Sequence, residues 1–90
     1  MNAWAPSEKP KLRGLGRMKY DQARQTDMLL LPERVVELNE TAAAILRLCD
    51  GQRTIAQIVD GLESKYGQSG LREEIVEFLA AAAERGWVDR

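Results

Sequence analysis

The side chains most able to do chemistry in this chain are few. There is no histidine and a single cysteine, Cys49. That removes Ser-His and Cys-His nucleophilic pairs, His-containing metal sites and thiolate clusters. Cys49 falls in line with Ala42, Ile45 and Leu46 at helical spacing, so it reads as a core residue. One cysteine cannot form an intramolecular disulfide, which fits a reducing cytoplasm. No glycine-rich phosphate cradle of the P-loop or dinucleotide kind is present. Glu73, Glu74 and Glu77 look like a solvated stripe on a helix and not a paired acid and base. The expectation is a chain with no catalysis of its own, no metal and no cofactor.

The remaining chemistry is recognition, and the last helical stretch carries most of it. At about 100° per residue, Leu71, Ile75, Phe78, Leu79 and Ala82 converge on one direction and form a core stripe. Val76, Ala80 and Ala83 make a second stripe beside it. One reading has the sheet cover one stripe and the other helices the second. The other makes the second stripe a groove, with Ala80 and Ala83 small enough to admit another backbone. Arg72 joins these candidate contacts at the head of the helix. The neighbouring strand Arg34, Val35, Val36, Glu37 and Leu38, placed at a sheet edge, would then accept a peptide as an extra strand.

Elements must hold that groove in place, and the joint from Leu29 to Leu46 organises them. Pro32 suits a corner because its φ is fixed and it has no amide donor. Arg34–Leu38 reads as a strand with Val36 and Leu38 on one face. Asn39 stands where a helix N-cap is wanted, ahead of a helix from Glu40 to Cys49 that Asp50-Gly51 ends. Before the corner, Arg17–Asp21 alternates as a half-buried strand, with Met18 and Tyr20 on one face. A polar turn over Asp21–Gln25 leads to a second strand, Thr26–Leu31. Its apolar run Met28–Leu31 implies burial on both sides or a face left for a partner.

After the first helix, Thr54 and Gln57 form a capping-box pattern. The second helix places Ile55, Ile58, Val59, Leu62 and Tyr66 on one face, weakened by Gly61 in its middle. The segment Gly67-Gln68-Ser69-Gly70 connects to the third helix, Leu71–Arg85, which stops at Gly86 before a short Trp87-Val88 segment. The fold class is α+β: a winged-helix-like, three-stranded antiparallel β-meander followed by three α-helices. Residues 1–16, with Pro6, Pro10, Gly14 and Gly16, read as a flexible arm carrying an exposed Trp4, ahead of a domain over 17–90.

Charge narrows the partners. Residues 1–17 set Lys9, Lys11, Arg13 and Arg17 against Glu8, a net +3, and the remainder of the chain is −4. An acidic body disfavours a nucleic acid backbone. The third helix opposes Arg72 and Arg85 with Glu73, Glu74, Glu77 and Glu84, a poor groove reader. A winged-helix DNA-binding or regulatory module is therefore the alternative to peptide binding and not the first reading. No apolar stretch approaches the ~20 residues of a membrane span. The N-terminus lacks the basic and apolar regions of a secretory signal, so a cytoplasmic location is expected. An open strand edge also invites a weak homodimer, with a plain monomer as the competing expectation.

These residues resemble a known family. The stretch Leu31-Pro32-Glu33-Arg34-Val35-Val36-Glu37-Leu38-Asn39-Glu40-Thr41-Ala42-Ala43-Ala44-Ile45-Leu46, then Cys49-Asp50-Gly51 and Thr54-Ile55, is similar to PqqD, the pyrroloquinoline quinone (PQQ) biosynthesis protein D family. The resemblance runs from about Arg17 to Val88 and leaves the N-terminal arm outside. It implies a peptide chaperone that binds the leader of the precursor PqqA. The chaperone presents that leader to PqqE, a radical S-adenosylmethionine enzyme that cross-links a glutamate and a tyrosine. It also implies a RiPP recognition element, in which the leader adds to the third strand and lies against the third helix. In this chain those are Arg34–Leu38 and Leu71–Arg85.

Overall fold

The computed structural model describes residues 4–14 and 16–89. In chain order the strands β1 (Lys11–Leu12), β2 (Arg17–Asp21), β3 (Thr26–Leu30) and β4 (Val35–Leu38) precede the helices. These are α1 (Glu40–Arg47), α2 (Ile55–Tyr66) and α3 (Arg72–Glu84), and a last strand, β5 (Val88–Asp89), follows. Strands β2, β3 and β4 form the expected antiparallel meander in that order, leaving β2 and β4 as its edges. A second, two-stranded sheet pairs β1 with β5, and the sequence reading did not anticipate it.

Local chemistry explains the corners. The Asp21 carboxylate accepts from the N–H groups of Ala23 and Arg24 at 3.0 and 3.3 Å, curling the β2–β3 turn on itself. Gln25 closes that turn at φ 53°, in the left-handed region. At the next corner Leu31 and Arg34 exchange both main-chain bonds, at 2.9 and 3.3 Å, with Pro32 and Glu33 as the two linking residues. Asn39 caps α1 as its position implied, its Oδ1 accepting from the Ala42 N–H at 2.7 Å. The capping box on α2 is complete: Thr54 Oγ1 accepts from Gln57 N at 3.1 Å, and Gln57 Oε1 accepts from Thr54 N at 2.9 Å.

Two expectations about α1 and the arm are corrected. The helix ends at Arg47 with Leu48 as its cap, earlier than Asp50-Gly51. Its last turn tightens, with Leu48 N–H donating to Ile45 and Cys49 N–H to Leu46, at 3.1 and 3.0 Å. The chain around Asp50 and Gly51 is occupied otherwise. Asp50 bridges to Lys11, and Gly51, at φ 77°, donates its N–H to the Pro10 carbonyl at 3.0 Å.

The second correction concerns the arm, expected to be flexible with an exposed Trp4. Trp4 is only 4% exposed and belongs to the core cluster. The first turn of α2 has orphan N–H groups, and the arm satisfies them. Ile55 N–H donates to the Glu8 carbonyl at 2.9 Å and Ala56 N–H to the Pro6 carbonyl at 3.1 Å. Further on, Leu12 donates to Cys49 and Arg13 to Trp87, at 3.2 and 2.9 Å. The proline-rich segment thus works as a strap closing α2 and β5. Residues 1–3 and 15 of that arm, and Arg90, lie outside the described residues.

The core sits between the meander and the helices. Helix α1 is buried at Ala42, Ala43, Ala44, Ile45 and Leu46, more than one face, because it lies against all three strands of the meander and against α2. Leu29, Ile58, Leu79 and Val88 are fully enclosed around it. In β3 the apolar run is divided by the pleat. Leu29 faces the core, whereas Met28, though buried, lies outside the core cluster on the alternate face.

Candidate functional site

The β4 edge offers unused main-chain groups, and the register shows which ones. Leu31 and Arg34 form a doubly bonded pair, so pairing alternates along the hairpin from there. Val36 opposite Leu29 and Leu38 opposite Asp27 turn their N–H and C=O toward β3. Val35 and Glu37 turn theirs away, toward the open edge of the sheet. Such an edge pairs with any strand of suitable length unless charge or a bulge protects it. Protection here is slight. Glu37 is held by Arg24 at 2.8 Å, and Val35 beside it is 56% exposed.

The edge runs directly into a cavity. Asn39, the residue after Leu38, stands on the rim of a hollow of about 650 Å³ between the three helices. Ala42 and Ile45 of α1, Leu62 and Tyr66 of α2, Leu71 at the cap of α3, and Ile75 and Phe78 within it form its apolar walls. Thr41, Gln68, Glu74 and Glu77 complete the polar rim. The residue before α3 is tied to α2, where Leu71 N–H donates to Glu63 Oε2 at 3.0 Å. The hollow is therefore set mainly by the packing of the three helices, with Asn39 and Gln68 of the flanking connectors on its rim.

The residues expected at the site divide into two groups. Arg34 is exposed and sits one position before β4, in the corner. Val35 and Glu37 face outward, Val36 is half-buried, and Leu38 turns into the core. Arg72 is exposed at the start of α3, away from the cavity lining. Val76, Ala80 and Ala83 are half-buried and pack against the core, but none lines the cavity. They lie on one flank of the buried stripe Ile75, Leu79 and Ala82, and Leu71, Glu74 and Phe78 lie on the other.

The cavity uses that other flank. Sequence reasoning had assigned Leu71 and Phe78 to the core, and Glu74 and Glu77 to a solvated stripe. Phe78, the only phenylalanine, lies at the margin of the core stripe, and periodicity alone gave no signal that this margin borders a hollow.

Cys49 stands apart from the site. Its thiol donates to the Ile45 carbonyl at 3.4 Å, and burial pushes it up to about 12. Among the described residues no group of three or more His, Cys, Asp or Glu is placed to hold a metal ion. No described helix is long and apolar enough to cross a membrane.

Comparison with known proteins converges on one family. Residues 28–88 match the family model of Coenzyme PQQ synthesis protein D (PqqD). The chain is 49% identical over 78 residues to the PqqA binding protein of Methylococcus capsulatus, covering 87% of this chain and 84% of that one. It is 43% identical over 81 residues to the PqqA binding protein of Azotobacter vinelandii, covering 89% and 88%. The fold superposes on the solution NMR structure of the PqqD truncation of Methylobacterium extorquens PqqCD with a TM-score of 0.82 at 32% identity. That match covers 98% of this chain and 96% of the other, which represents a functional, stand-alone RiPP recognition element. An antiparallel meander with an open edge, three helices and a sustained match across most of its length have one common account: the chain belongs to the PqqD family.

Proposed function

We propose that the chain binds the leader of the precursor peptide PqqA and presents it to the radical S-adenosylmethionine enzyme PqqE in pyrroloquinoline quinone biosynthesis. The observation that carries this reading is the open β4 edge leading into an apolar hollow. Relatives of this chain carry the name PqqA binding protein. The leader pairs with the outward groups of Val35 and Glu37 as a fourth strand, and its side chains on the helix side reach the cavity. Main-chain bonds supply affinity here, and the hollow supplies selectivity.

The chain contributes binding alone and leaves the chemistry to the enzyme. Leu71 and Phe78 line the hollow, and Val76, Ala80 and Ala83 lie on the other flank of α3. The same edge is open to a second copy of the chain, a weak pairing that the leader displaces.

A paired titration tests the reading. The chain is titrated with synthetic PqqA leader and, separately, with duplex DNA, both at low salt where a phosphate binder is strongest. Saturable leader binding without DNA binding is expected. DNA binding without leader binding would replace this function with a regulatory one.

A further inference from the structure

The meander has a second open edge, β2, and leader binding at β4 does not use it. Leu29 and Asp27 turn their main-chain groups toward β4, so Met28 and Leu30 turn theirs toward Lys19 and Arg17 of β2. Met18 and Tyr20 therefore turn their N–H and C=O groups outward, away from the sheet. Met18 packs against the core, so Met18 and Tyr20 share the helix face, and Arg17 and Lys19 share the outer face. Three large apolar side chains are exposed among the described residues: Tyr20, Val35 and Tyr66. Val35 stands on the β4 edge and Tyr66 in the wall of the hollow, so the peptide site accounts for both. Tyr20 is 49% exposed on the opposite edge, where the leader has no use for it.

We propose that the β2 edge is a second docking edge, which takes a partner protein's strand of alternating acidic and apolar residues. The inference rests on the reading above, which makes that partner PqqE, and adds where on this chain the enzyme engages. Strand pairing sets side chains directly opposite one another on each face. Opposite Arg17 and Lys19 on the outer face, carboxylates are favoured. Opposite Met18 and Tyr20 on the helix face, apolar side chains are favoured, because they cover the exposed ring of Tyr20. A second copy of the chain suits this edge less well. Antiparallel self-pairing centred on Met18 or on Lys19 sets basic residues directly opposite each other, which is destabilising. Basic side chains on an edge thus keep it from its own kind and leave it open to an acidic strand. The leader does not compete, because β3 separates β2 from β4. The chain then holds the peptide on one side of its sheet and the enzyme on the other.

The experiment measures binding of the full chain to purified PqqE and, separately, to synthetic PqqA leader. Arg17, Lys19 and Tyr20 are exposed, so Arg17→Glu/Lys19→Glu and Tyr20→Pro are expected to fold, and thermal melts verify it. Tyr20→Pro deletes one outward N–H and leaves the ladder to β3 intact. Each variant should bind PqqE at least about tenfold more weakly and leader within about twofold of the unaltered chain. A benzophenone amino acid in place of Tyr20 should photo-crosslink to PqqE at a segment where acidic and apolar residues alternate. Unchanged PqqE binding by both variants, or a crosslink to a segment without that alternation, would overturn the β2 edge as the docking site. Loss of leader binding by the variants would place the peptide on β2 and overturn it as well. Failure of the unaltered chain to bind PqqE would remove the enzyme from the reading above, and this inference with it, while leader binding stands on its own titration.

Discussion

At the scale of single residues, Cys49 shows how position decides chemistry. The thiol is enclosed, bonded to the last turn of α1 and held near 12 by burial, with Asp50 adding to the shift. In an unfolded chain a thiol titrates at about 8.5. Its folded value is raised, so its contribution to stability is complete below that pH and is lost as pH climbs toward about 12. We therefore expect alkaline unfolding of the native chain to steepen across that window more than unfolding of Cys49→Ala. Denaturant melts at stepped pH would detect it, and parallel slopes for the two proteins would refute it. Cys49 was readable as core from its spacing alone, and the caps Asn39 and Thr54 were readable from residue type, since each acts within three residues of itself. Phe78 was not, because whether a stripe's margin is buried depends on helices far away in the chain.

At the scale of elements, α2 and α3 carry different consequences. Gly61 lies mid-helix in α2, and a Cβ added there would meet nothing within 4 Å. Gly61→Ala should accordingly raise stability by up to about 1 kcal/mol, read as a higher melting temperature. On α3 the decisive matter is which flank meets the peptide. The cavity lies on the Leu71 and Phe78 flank, so Ala80→Arg should leave leader affinity within about twofold. Thr41→Trp, which fills the cavity mouth from an exposed position, should lower it at least about tenfold. The opposite outcome would move the site to the Val76, Ala80 and Ala83 flank. The two apolar stripes were visible in the sequence as a wide arc. Periodicity could not say which flank borders the hollow, because that depends on how residues of α1 and α2 pack around α3.

At the scale of the whole molecule, the strap of residues 4–14 joins what the sequence left apart. Trp4 is buried in the core, the arm carbonyls close the head of α2, and β1 pairs with β5 from the far end of the chain. Prolines and glycines without periodicity suggested an arm, and only the unpaired first N–H groups of α2 hinted that something must cover them. Trp4→Ala should cost about 3–5 kcal/mol, seen in denaturant unfolding, and a cost near zero would return the arm to solvent. The meander and the three helices, by contrast, followed from local signals and hold together as one frame behind the β4 edge. The central claim is that the leader becomes a strand on that edge. Amide hydrogen exchange with and without saturating PqqA leader tests it most directly. The account predicts that the Val35 and Glu37 amides, open in the free chain, become strongly protected while those of Val36 and Leu38 change little. Saturated binding with Val35 and Glu37 still exchanging freely would contradict it.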